Sequence, residues 1–272
     1  MNGEIKKSKS YLDTSFKHVS FLASFKEQRR IQSDMIIEFN PEKLLSIGIG
    51  YGDEIIALID FYRKKHPNLN YLGNLRHLEC VDLHEDAGEN IVISNYSTLN
   101  LTININNRYD ILELQDNEEW DCILCSFVLH DINFEDKNNV IDRLYKALKP
   151  NGKIIISEMF LDNNSTDMDS HENHLRMNEV EKLYESFIKE INNTAELSIN
   201  TKNDLINHVI RTIKDAKLGK RDYFMNLEQT KNLLLSGGFQ INNSTFFTPN
   251  KIVDYLGVIV ARKPKLIKEE KY

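Results

Sequence analysis

Only three cysteines, five prolines and one tryptophan occur in 272 residues, and the shortages are informative. Cys80, Cys122 and Cys125 do not suggest a disulfide framework. No apolar run approaches the ~18 to 20 residues that a membrane-spanning helix needs. The opening MNGEIKKSKS has no apolar core, so no signal peptide is expected and the cytoplasm is the default location. A surplus of basic charge is also missing. The formal net charge is -7 with both signs interspersed, a poor match to a phosphate backbone, so no nucleic-acid partner is expected. Internal repeats are absent. The length suits one large α/β domain with a modest appendage, residues 1–272 forming a single unit.

What is present centres on Leu44-Leu45-Ser46-Ile47-Gly48-Ile49-Gly50-Tyr51-Gly52-Asp53. Residues 44–47 read as a strand covered on both faces. Glycines at 48, 50 and 52 follow, where a side chain would keep a ligand off the backbone. Ile55, Leu58, Ile59 and Tyr62 then recur at helical spacing, with acids in the first turn and bases in the last. Two familiar phosphate cradles are excluded by what is lacking. The dinucleotide fingerprint needs a third glycine at 53, where Asp53 stands, and no Gly-Lys-Ser/Thr follows. By itself the glycine turn also fits plain chain geometry.

Residues 11–38 read as a helix that either caps a ligand cleft or only covers core. Leu78–Leu83 is a second strand with Asp82 at its carboxyl end, where ligands of open α/β sheets bind. A carboxylate there can accept from both ribose hydroxyls. Residues 101–105 alternate as a third strand. Trp120–Phe127 is a fourth, followed by Val128-Leu129-His130-Asp131. Cys122 and Cys125 lie three apart on that strand and so point to opposite faces, which argues against a local dithiol or zinc pair. Lys149-Pro150-Asn151-Gly152 turns a further helix into a fifth strand, Lys153–Glu158.

Residues 161–226 read as a helical insertion, a lid or substrate wall. Its second helix is expected to start at Thr201 in a box with Asp204. Asp167, Asp169, His171, Glu172 and His174 have metal-ligand chemistry but read as a solvated helix start, and no metal is expected. A helix over 227–235, a Gly237-Gly238 stop and two strands joined at Thr248-Pro249-Asn250 complete the chain. Such a short connection makes those strands antiparallel.

As an ordered set, LLSIGIGYG, LECVDL, WDCILCSFVLHDI, LYKALKPNGKIIISE and LLLSGGF resemble class I S-adenosylmethionine (SAM)-dependent methyltransferases. The resemblance implies a Rossmann-like seven-stranded, mostly parallel sheet with a C-terminal antiparallel hairpin and helices on both faces. It implies SAM as cofactor, with Gly48, Gly50 and Gly52 against the methionine part and Asp82 on the ribose. It places Asp110 at the adenine and Ser126 in the donor pocket. Ser46 is a departure, since many members carry an acid there that orders the donor's amino-acid end. LLSIGIGYGDE and Phe21 with Lys26-Glu27-Gln28 are similar to the histamine N-methyltransferases, which implies that Glu27 binds a substrate amine.

For catalysis, His130 is the first choice as base, because it follows the fourth strand at the cleft and histidine titrates near neutral pH. A loop-capping role fits it as well. Glu158 and Glu27 are candidates for holding a cationic substrate. The expectation is methylation of a small molecule, an amine nitrogen before an oxygen or carbon. A SAM-binding enzyme of other chemistry and a non-catalytic partner subunit are the competing readings.

Overall fold

A computed structural model describes residues 21–67, 72–93, 99–161, 173–218, 223–247 and 256–265. Seven strands form one sheet. They are β1 (Lys43–Ile47), β2 (His77–Asp82), β3 (Thr102–Asn107), β4 (Trp120–Ser126), β5 (Leu148–Met159), β6 (Gln240–Phe247) and β7 (Leu256–Arg262). Their order is β3-β2-β1-β4-β5-β7-β6. β1 to β5 run parallel, and β7 lies antiparallel to both β5 and β6. The order reverses between β1 and β4, so the cleft opens beyond the carboxyl ends of those two strands.

Helices α1 (Ala23–Phe39), α2 (Asp53–Lys65), α3 (Glu89–Ile93), α4 (Phe134–Ala147), α5 (Asn173–Asn193), α6 (Ile199–Lys217) and α7 (Leu227–Ser236) follow from their apolar spacing and caps. One face of the sheet, with Leu44, Leu78, Leu124 and Ile155, is covered by α1 and α2. The other, with Leu45, Ile123, Ile154 and Ile156, is covered by α4 and α7. Cys122 packs on the first face and Cys125 on the second, as strand alternation requires. A third apolar cluster joins Leu22, Phe25 and Met159 to Val180, Leu183 and Phe187 of α5 and Leu205 of α6. It stands over the carboxyl end of the sheet.

Several boundaries differ from the sequence reading. Residues 11–20 of the expected first helix, the Thr248–Asn250 turn and the acidic and histidine segment lie outside the described residues, apart from the backbone of His174 in α5. β5 begins at Leu148, because the Lys149–Gly152 turn is absorbed as a register shift opposite β4, with Asn151 at φ 65°. α6 starts earlier than Thr201. Ser198 is its N-cap and accepts from the Thr201 amide at 3.2 Å, so Thr201 sits inside the first turn. Ile31, Met35 and Ile36 of α1 pack in the core, and Phe25 of the same helix lines the cavity beyond the strand ends. Among the described residues no helix is long and apolar enough to cross a membrane.

Candidate active site

The glycine turn after β1 shapes the floor of a cavity of about 320 Å³. Gly48 has φ 75°, and a Cβ there would lie 2.6 Å from the Ser126 carbonyl oxygen and collide with Val128. Gly50 has φ 49°, and a Cβ there would meet nothing within 4 Å, because it would point into open cavity. Asp82 is 7% exposed. Its Oδ2 accepts the Gly50 amide at 2.9 Å and its Oδ1 the His84 amide at 2.9 Å. Each carboxylate oxygen can accept a second bond, so Asp82 both clamps the turn and keeps acceptor capacity toward the cavity.

Asp110 lines the same cavity, together with Leu83, Tyr109 and Ile111, which supply apolar walls. Its Oδ1 accepts the Leu112 amide at 2.9 Å. Burial pushes the Tyr109 phenol up from its ordinary pKa, with the nearby acids Glu113 and Glu79 adding to the effect.

His130 is brought to the cavity by the short 3-10 turn Leu129–Asp131 after β4. Glu158, 3% exposed near the end of β5, stands behind it. Glu158 Oε1 is 2.8 Å from His130 Nδ1 and accepts the Met159 amide at 3.0 Å. Oε2 accepts the His130 amide at 3.3 Å. A carboxylate oxygen can only accept, so Nδ1 is the donor in this pair, and Nε2 lies 3.6 Å from Asp131 Oδ2. The ring stacks on Phe224 at 5.1 Å. Lys137, buried in α4, donates to the Leu129 carbonyl and so braces this turn.

His130, Phe25, Met159 and His208 also line a second, smaller cavity of about 70 Å³. Leu22, Tyr184, Phe187 and Leu205 close it from α1, α5 and α6. No Asp, Glu, Lys or Arg is among its described lining residues. The two cavities meet at His130.

Four of the expected residues, Gly52, Ser126, Glu27 and Glu158, lie away from the lining. Gly52 is the N-cap of α2 at φ 89°, where a Cβ would collide with the Ile91 side chain, so it serves helix packing. Ser126 is buried under α1 and accepts from Gln32 Nε2 at 3.1 Å. Glu27 faces outward on α1 and is gripped by Arg30 at 2.7 and 2.8 Å, a pairing that holds its carboxyl below its ordinary pKa despite an opposing burial effect. Glu158 touches His130 and does not line either cavity. Sequence reasoning missed Arg29 and Glu54 in the larger cavity and His208 in both. It also missed Phe127, a bulky residue at φ 56° whose ring lines the cleft. Such a backbone, costly for a side chain of that size, is concentrated at functional sites but leaves no mark in sequence. Among the described residues no group of three or more His, Cys, Asp or Glu is placed to hold a metal.

Comparison with known proteins bears on the fold. Residues 116–190 match the model of an O-methyltransferase domain, a span that contains both His130 and Glu158. O-methyltransferase 12 of Dictyostelium discoideum is 39% identical over 44 residues, which are 16% of this chain and 12% of that protein. The match thus spans about an eighth of that relative's length. Among solved structures, the 1,6-didemethyltoxoflavin-N1-methyltransferase of Burkholderia thailandensis, with bound 1,6-didemethyltoxoflavin and S-adenosylhomocysteine, superposes with a TM-score of 0.54 at 14% identity, covering 93% of this chain and 88% of that one. The CurJ carbon methyltransferase superposes with a TM-score of 0.56 at 16% identity, over 93% and 59% of the two chains. At these identities the likeness speaks for the fold. The chain has the Rossmann-like fold of the class I SAM-dependent methyltransferases, with an O-methyltransferase sequence signature running from the approach to β4 into α5.

Proposed function

We propose that this protein methylates a hydroxyl oxygen of a small, largely apolar acceptor, with SAM as the donor. The observation that carries the reading is the His130–Glu158 pair at 2.8 Å, set where the two cavities meet. The larger cavity fits the donor: a glycine whose missing side chain leaves open space, a carboxylate with spare acceptor capacity, and a volume within the range of small-molecule sites. Gly48 and Gly50 would face its methionine part, Asp82 its ribose and Asp110 its adenine, with Leu83 and Ile111 beside the ring. SAM supplies an electrophilic methyl group on a sulfonium centre and is released as S-adenosylhomocysteine.

The chain's own residues supply alignment and a proton sink. The smaller cavity holds the acceptor against Phe25, Met159 and the α5–α6 wall, and excludes water from it. His130 Nε2 takes the hydroxyl proton as the oxygen becomes nucleophilic. The resulting imidazolium has Glu158 against one nitrogen and Asp131 near the other, so its charge is opposed on both sides.

The amine acceptor expected from sequence has less support. A cationic amine needs a carboxylate beside it, and the described lining of the smaller cavity carries none. Glu27, the residue assigned to it, is held by Arg30 on the outer side of α1. The test is to incubate the protein with SAM and a panel of small phenols, alcohols and amines, follow S-adenosylhomocysteine release, and locate the new methyl group by NMR. O-methyl products support the reading. N-methyl products from amines alone would refute it. No turnover together with no thermal stabilisation by S-adenosylhomocysteine would favour a non-catalytic partner subunit.

A further inference from the structure

The larger cavity has an uneven charge inventory. Asp53, Glu54, Asp82, Asp110 and Asp131 line it, and Arg29 of α1 is its one arginine or lysine among the described lining residues. The Arg29 side chain is only 12% exposed, and its Nη2 lies 3.5 Å from Asp53 Oδ2. Glu54 keeps part of its surface open at the cavity wall. Its carboxyl is nonetheless enclosed enough that burial pushes its pKa up, while the charge of Arg29 pulls it back. Enclosing these charges costs stability and is hard to explain by packing. Their location is informative. Asp82 and Asp110 sit at the β2 and β3 end of the cavity, whereas Asp53 and Glu54 directly follow the glycine turn and face α1.

We propose that Arg29 and Glu54 clamp the two ends of the donor's amino-acid group, the guanidinium taking its α-carboxylate and the Glu54 carboxylate its α-ammonium. The inference rests on the SAM reading above and goes beyond it by assigning the zwitterionic end of the ligand. The adenosine is held by groups that carry no positive charge, so the ligand's carboxylate has one cationic side chain to meet, Arg29. The planar fork of an arginine suits a carboxylate better than a lysine would. The clamp also accounts for Ser46. That residue is 1% exposed on β1 and carries no charge, and the helices on either side of the glycine turn provide what the strand lacks.

The experiment compares two ligands that share the adenosine and thioether but differ in the amino-acid group: S-adenosylhomocysteine, which has it, and 5′-methylthioadenosine, which does not. Affinities are measured by calorimetry on the wild type, Arg29→Met, Arg29→Lys and Glu54→Gln, with melting temperatures recorded for each. The wild type is expected to bind S-adenosylhomocysteine at least roughly tenfold more tightly than 5′-methylthioadenosine. Arg29→Met and Glu54→Gln should each weaken S-adenosylhomocysteine roughly tenfold or more and leave 5′-methylthioadenosine within about twofold. Arg29→Lys should fall between, which also serves if Arg29→Met does not fold. Parity of the two ligands on the wild type, or equal losses for both on the variants, would overturn the clamp and leave Arg29–Asp53 as a tie between helices. If the wild type bound neither ligand, the donor reading would fall and the clamp with it.

Discussion

Replacing His130 by asparagine separates its structural role from its chemical one. An alanine there would strand Glu158, a carboxylate only 3% exposed, without the ring N–H now 2.8 Å away. Breaking a buried pair in that way costs about 3–5 kcal/mol and would confuse stability with catalysis. Asparagine places an amide N–H close to the position of Nδ1 and so preserves the bond to Glu158. What it removes is the Nε2 lone pair. General-base catalysis contributes roughly 10²–10⁴-fold, which is about 2.7–5.4 kcal/mol of barrier at 1.36 kcal/mol per tenfold. His130→Asn should therefore lower kcat on a neutral phenol by that factor, with little change in melting temperature or S-adenosylhomocysteine affinity. The control is a phenol acidic enough to be ionised at the assay pH. Its proton has already gone, so its loss should be ~10-fold or less, from the missing stack on Phe224 and poorer alignment. Equal losses for the two phenols, or no loss for either, would refute the assignment of His130 as base.

Other outcomes follow from the same geometry. Gly48→Ala should destabilise the fold by roughly 2–5 kcal/mol, from overpacking against Val128 and the Ser126 carbonyl plus a left-handed backbone. Gly50→Ala meets no atom and should cost only ~1–2 kcal/mol while sharply weakening S-adenosylhomocysteine, so calorimetry and denaturant melts on both variants separate the two glycines; a reversed pattern would contradict the cavity's placement. Asp82→Ala should weaken the same ligand more than ~10-fold and also free the Gly50 and His84 amides, whereas unchanged affinity would exclude the ribose role. Glu54→Gln should stabilise the ligand-free protein. The carboxyl's folded pKa lies above its ordinary 4.5, so ionising it destabilises the fold; this cost is absent at low pH and grows as pH rises past the unfolded value. The gain in chemical-denaturation stability over wild type should thus grow from about pH 4.5 upward, and a gain independent of pH would show that charge is not the cause.

How much of this was legible beforehand depended on the range of the forces involved. Strand, glycine turn and helix at 44–65 are local: burial on both faces sets the apolar run, missing side chains set the turn, and 3.6-residue spacing sets the helix. The same holds for Asp82, which a parallel strand necessarily presents at the ligand-binding edge of the sheet. The pairing of His130 with Glu158 was half legible. His130 follows β4 and Glu158 lies near the end of β5, but their contact depends on those strands being neighbours in register, Ser126 opposite Ser157.

Ser126 and Glu27 show where local reading stops. The Ser126 hydroxyl faces α1 rather than the cavity, because Gln32 reaches down from that helix to meet it. Glu27 turns outward because Arg30, three residues along the same helix, competes for it. Arg29, His208 and the pair of cavities had no signature in the chain, since they arise from α1 and the α5–α6 wall docking over the sheet. Sequence by itself determined the sheet, its glycine turn and the acid beside it, all of which depend on periodicities of two and 3.6 residues. Tertiary structure alone decided which charges share the larger cavity and which helices wall the smaller one, because those are contacts between residues far apart along the chain, fixed only when the helices pack.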